Sequence, residues 1–291
     1  MDAISTIFKE IWKTLRLIAM NKMGLLGFIM IIFFILMSFV GPYVVAPDLQ
    51  AHVKEINQGP SVKHPLGTDF QGKDNLVQIV HGGRDILTIA FLAGLMTTFI
   101  AVLVGSFSAF FGGMVDTVLM EITNFWITIP KFPILVIVAS TAKLTNLWLL
   151  ALLLAMLSWG GFARQVRSQI LSLKKREYVE AAQLLNLGPL HIIFREMLPN
   201  MMPFIATSLI FAMTSAIYSQ TSLVFLGLVP FSGSNWGIML SSAFAKGALY
   251  QKDAIWSVIA PVGAIALFQL SLVWFSRSLE EVFNPRLRSG V

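Results

Sequence analysis

Residues 180–199 read EAAQLLNLGPLHIIFREMLP, a polar, helix-prone stretch set between segments apolar enough to cross a membrane. Just before it, Lys174–Leu185 reads KKREYVEAAQLL, rich in the Glu, Ala, Gln and Leu that favour helix. Leu187, Gly188 and Pro189 break that helix, Leu190–Met197 resumes it, and Leu198 and Pro199 lead into the next apolar run. The pattern predicts two short helices joined by a tight turn and projecting from a membrane. Glu180 offers a charge on that projection, and the small Ala181 and Ala182 allow close approach by a soluble partner.

Composition supports lipid as the solvent. The chain has 291 residues, 56% hydrophobic and 12% charged, against about 25% charged in a soluble globular protein. Cysteine is absent, which excludes disulfides, thiolate catalysis and cysteine-based metal sites. The net charge of +6 reads as membrane orientation rather than nucleic-acid binding.

A membrane-crossing helix needs about 20 mostly apolar residues. Six segments qualify: Gly24–Val45, Leu87–Gly112, Thr117–Ala139, Leu144–Ala163, Asn200–Gly227 and Ala254–Ser276. The third is interrupted by Glu121, Pro130, Lys131 and Pro133. Proline cannot continue the helical hydrogen-bond ladder, so a kink or break is expected there. The fold class is all-α, a polytopic membrane protein of six spans. It divides into a tail (1–23), a first span (24–46), an external segment (47–86), a five-helix core (87–281) and a tail (282–291). The core contains the projecting loop 165–199 and a second external segment, 228–253.

With six spans both ends lie on one side. Lys9, Lys13, Arg16 and Lys22 share that side with Arg164, Arg167, Lys174, Lys175, Arg176 and Arg195, and with Arg277, Arg286 and Arg288. Positive charge marks the cytoplasmic face, so both termini and the Glu180 loop are expected in the cytoplasm. Outside lie HPLGTDFQGKD (His64–Asp74) and HGGR (His81–Arg84), read as turns, and the turn cluster VPFSGSNWG (Val229–Gly237).

The Glu180 segment resembles the EAA loop of permease subunits of binding-protein-dependent ABC importers, in particular the second permease type of the dipeptide/oligopeptide/nickel branch. The resemblance extends along the chain. It includes the His64–Asp74 and His81–Arg84 stretches, GGMVDTVLM (Gly112–Met120), WGGFARQVRSQILSLKKREYVEAA (Trp159–Ala182), MLPN (Met197–Asn200), SLVFLGL (Ser222–Leu228), NWGIML (Asn235–Leu240) and NPRLR (Asn284–Arg288).

The resemblance implies a type I importer permease in a prokaryotic inner membrane. It would pair with a second permease as a heterodimer, with two ATPases that hold the ATP and Mg, and with an external binding protein, and bind no cofactor itself. Glu180, Ala181, Ala182, Asn186, Gly188, Leu198 and Pro199 would couple to the ATPases. Glu121, Pro130, Lys131, Ser215, Ser219 and Gln220 are candidates for the translocation path, and Asp69, Arg84 and Trp236 for binding-protein docking. Peptides are the first substrate class implied, oligosaccharides the second, nickel the third.

Departures from the family pattern are local. Asn186 stands where the family has Gly, and Asn tolerates a left-handed backbone, a task Gly188 could share. Glu121 and Asn124 replace an Arg and an Asp, consistent with exchange of a local ion pair. Gln220 replaces an acidic residue and Val229 a Gly.

Other classes lack their signatures. His52, His64, His81 and His191 are scattered and form no ligand pair at helical spacing. No phosphate-cradling Gly-Lys-Ser/Thr loop occurs. A secondary transporter needs midplane ionisable groups and usually inverted repeats, and an intramembrane enzyme needs a paired catalytic cluster; neither pattern is visible.

Overall fold

The computed structural model describes residues 21–48, 50–142, 144, 146–229 and 234–283. The tail cations Lys9, Lys13, Arg16, Arg286 and Arg288, the NPRLR stretch and the middle of the VPFSGSNWG cluster lie outside the described residues.

The described chain is helical: α1 (Lys22–Phe39), α2 (Gly41–Val44), α3 (Asn75–Phe111), α4 (Gly113–Thr128), α5 (Lys131–Thr141), α6 (Leu147–Leu173), α7 (Glu177–Leu184), α8 (Met202–Phe225), α9 (Trp236–Ala245) and α10 (Trp256–Phe283). Among the described residues, β-structure is limited to one isolated bridge between Thr68 and Asp74. Among the described residues, five helical runs are long and apolar enough to cross a membrane, and α4 with α5 makes a sixth, bent by 76°. The bend falls at Ile129 and Pro130, where the sequence predicts the ladder to fail.

Two compact units divide the chain, with divisions after Ile89 in α3, after Val138 in α5, after Leu147 at the start of α6 and after Ala216 in α8. The first unit holds α1, α2, the first part of α3, the segments on either side of α9, α9 itself and α10. Here α1 lies along α10 at backbone contact, because a Cβ on Gly27 would sit 2.8 Å from both Phe275 N and Ser271 O. Phe34 closes the same seam against Phe268 at 5.4 Å between ring centroids. A small core of Leu240, Ala243, Ala248, Ala254 and Val258 joins α9 to the start of α10.

The structure corrects the reading of HGGR as a turn at the entrance to the second span. The helix begins at Asn75 rather than near Leu87, and His81–Arg84 lies inside it. The glycines serve packing: a Cβ on Gly83 would meet Ser38 Oγ at 2.1 Å, and one on Gly82 would meet Ser234 O at 3.0 Å. At 37 residues, α3 is about 55 Å long, well beyond a hydrocarbon core of about 30 Å.

The second unit contains α3 from Ala90 onward, α4, most of α5, α6, α7 and the first part of α8. Trp126 on α4 donates from Nε1 to the Met156 carbonyl on α6 at 2.6 Å, and its ring lies 6.1 Å from that of Trp159.

Candidate functional site

The loop singled out by its sequence folds as an elbow. α6 ends at Leu173, and the turn Lys174–Arg176 reverses the chain. α7 then starts with Glu177 and Glu180 in its first turn, where the positive end of the helix dipole favours acid side chains. At the other end Asn186 N–H donates to Gln183 O (2.9 Å) and Leu187 N–H to Ala182 O (3.1 Å). Those two bonds define a Schellman cap, whose key residue takes a left-handed backbone. Asn186 has φ 54°, as its side-chain chemistry predicts. Gly188 takes no part in that geometry: its φ is −56° and it caps the turn Pro189–His191 instead.

The inner face of the elbow is a small core. Val179 and Ala182, one helical step apart, pack with Val166 and Ile170 of α6, Ala109 of α3, and Ile192, Met197 and Met201 beyond the turn. Leu187 and Leu198 close over it. The expectation that Ala182 faces a partner is therefore corrected, since it is buried within the elbow's own core. The outer face carries Glu180, Ala181, Pro199 and a set of exposed leucines: Leu184 at 88%, Leu185 at 73% and Leu190 at 57% of full exposure.

The α6 side of the elbow is held by charge. Arg167 donates from Nε and Nη2 to the two carboxylate oxygens of Asp116 at 2.6 and 2.5 Å, and Ser108 Oγ donates to the same carboxylate. Lys174 Nζ donates to the Phe110 carbonyl at 2.7 Å, satisfying an end group of α3 and placing a cation where its dipole is negative. Composition and spacing did not reveal the Asp116–Arg167 pair. Its residues lie in two stretches that matched the family, yet 51 residues separate them. Asn124 is partnered by Arg164, whose Nε donates to its side-chain oxygen at 3.1 Å.

The remaining candidates sort by exposure. Glu121, Pro130 and Lys131 are exposed along the bent pair, and Ser215 is exposed on α8 with Ser219 half-buried. Gln220 does not line an open wall: it is 1% exposed, and its Nε2 donates to Ile86 O at 2.8 Å. Among the docking candidates only Arg84 is exposed. Trp236 is completely buried, with its Nε1 bonded to Ile79 O at 2.9 Å. Asp69 is buried as the organiser of a turn, accepting from the Gln71 and Lys73 N–H groups and from Gln78 Nε2. Both side chains support their loops from within the protein.

Family comparison agrees with this architecture. Residues 101–289 match the family model described as binding-protein-dependent transport system inner membrane component, and the chain belongs to that family. Residues 6–60 match the N-terminal TM domain of oligopeptide transport permease C. The chain is similar to a peptide permease protein of Brucella suis, with 32% identity over 79% of this chain and 76% of that protein. It is also similar to two Bacillus subtilis proteins: the oligopeptide transport system permease protein OppC, at 29% identity over 99% of this chain and 93% of the relative, and the dipeptide transport system permease protein DppC, at 27% over 96% and 86%.

Proposed function

We propose that this chain forms half of the translocation path of an ATP-driven peptide importer, with both termini and the Glu180 elbow in the cytoplasm. Peptide as the substrate class follows the named relatives, which this chain matches over nearly its whole length. ATP and Mg would be held by two separate ATPase subunits, and a second permease would complete the path. An external binding protein would deliver the substrate to the outer face.

The coupling role rests on one observation. Glu180, Ala181, Leu184, Leu185 and Leu190 stand exposed on an elbow whose inner face is a packed core. Burying exposed leucine against a partner gains roughly 1.5–3 kcal/mol per side chain, so a soluble subunit has a defined apolar ledge to grip. Glu180 adds a charge that selects orientation more than it adds affinity. Because the cap at Asn186 and the core beneath α7 hold the ledge in shape, a push on it is passed on rather than absorbed.

The test is reconstitution. The chain, its sister permease, the ATPases and the binding protein are placed in liposomes, and uptake of labelled peptides and oligosaccharides is measured with and without ATP. ATP-dependent peptide uptake is the expected result. Oligosaccharide uptake without peptide uptake would move the substrate class, and uptake by this chain alone would remove the importer reading.

A further inference from the structure

The two attachments of the elbow to the membrane helices differ in kind. On the α6 side the link is a continuous α-helix ending in charged contacts, Arg167 with Asp116 and Lys174 with Phe110 O. On the α8 side the hydrogen-bond register changes repeatedly within a few residues. Ile192 N–H reaches back to Gly188 O, an ordinary α spacing. Leu198 N–H reaches one residue further, to Ile193 O, closing a wide π turn over Ile192–Met197. Met202 N–H then reaches only to Pro199 O, in the tight 3₁₀ turn Leu198–Met201.

The cause is local. Pro199 has no N–H to give Arg195 O, and its ring crowds that carbonyl. Burial adds a second demand: Ile192 packs in the elbow core with Met197 and Met201, and its neighbour Ile193 is fully buried as well, while Phe194 and Arg195 are exposed. A wide turn lets two neighbouring side chains both be buried, and a tight turn then recovers the length. Such π segments hold one more residue per turn than an α-helix and occur mostly as short insertions.

We propose that the wide turn Ile192–Met197 is a rotary joint between the coupling elbow and α8. When the wide register moves past a residue, each donor exchanges one carbonyl for its neighbour and none is left unpaired. The residue passed turns by about 100° around the helix axis and advances by about 1.5 Å. Motion of the elbow would thus reach α8 as rotation of its cytoplasmic end, whereas the clamped α6 side moves as one piece with α7. The joint deepens the importer reading and rests on it.

The one-residue excess supplies the test. Deleting Arg195 makes Leu198 the fourth residue after Ile193, so the same N–H and carbonyl close an α turn and the joint is lost with the flanking registers kept. In the reconstituted complex the deletion is expected to bind the ATPases and hydrolyse ATP but to move about tenfold less substrate per ATP, while Arg195→Ala transports normally. Unchanged transport by the deletion variant overturns the joint.

A second measurement covers a deletion that fails to assemble. The chain lacks cysteine, so labels attached to it before assembly sit only at the introduced positions. Labels at Gln183→Cys and Phe211→Cys span the wide turn, and labels at Ser168→Cys and Gln183→Cys span the clamped side. Between nucleotide-free and nucleotide-trapped complexes the first distance should change and the second should not. A fixed first distance, or a change in both, overturns the joint. ATPases that never associate with the unaltered chain overturn the importer reading itself.

Discussion

Arg167 grips Asp116 through two nitrogens, so the start of α4 and the C-terminal part of α6 share one bidentate ion pair. Both side chains are partly shielded, at 32% and 19% exposure, and Ser108 adds a third bond. Arg167→Met strips the carboxylate of its cation. Hydrogen bonds to charged groups contribute about 1.5–3 kcal/mol, and the residual exposure lowers that to about 1–2 kcal/mol. Thermal unfolding in detergent should show the loss. Exchanging the two residues, Asp116→Arg with Arg167→Asp, should recover part of it; no recovery would mean that shape rather than charge holds the corner.

Asn186 carries a positive φ at the cap of α7. Asn186→Gly should change stability by only a few tenths of a kcal/mol, since Gly adopts this backbone freely. Asn186→Val forces a branched side chain into a region costing about 1–2 kcal/mol. It should weaken capture of the ATPases in pull-down, and full capture would show that the cap does not shape the ledge.

Glu180→Lys reverses the exposed charge in the first turn of α7. Helix stability should fall by only about 0.3–1 kcal/mol, so insertion and expression persist. Transport per ATP hydrolysed should drop, and uptake at the unaltered ratio would remove Glu180 from coupling.

Trp236→Phe separates building from docking. The variant keeps the ring but deletes the bond to Ile79 O in a fully buried place, at a cost of about 1–3 kcal/mol. Stability should decline while affinity for the binding protein, measured on assembled complexes, is unchanged. Lost affinity without lost stability would return Trp236 to the surface.

These variants trace where the sequence could be read and where it could not. The break after Thr128 was legible because Pro130 and Pro133 act on their own backbone, and the turn at Asn186 because left-handed geometry is a single-residue property. Trp236, Asp69 and Gln220 misled for a shared reason. A polar or aromatic residue in an external or span-end stretch looks the same whether it meets solvent or a buried carbonyl. Gly82 and Gly83 read as a turn because glycine also marks close packing, and only the position of Ser38 and Ser234 separates the two cases. The Asp116–Arg167 pair needs tertiary proximity, which no local pattern encodes. The wide turn before α8 answers to the burial of both Ile192 and Ile193 as much as to Pro199.

The corner between α4 and α5 also bears on how the chain is made. Its arms have 16 and 11 residues, about 24 and 16 Å of helix, and neither alone crosses hydrocarbon of about 30 Å. A nascent chain that has delivered only α4 to the insertion machinery therefore offers it an incomplete crossing that ends at the bend before Lys131. Complete crossing of the bilayer by this segment therefore needs α5 as well as α4, so the two arms must enter the membrane together.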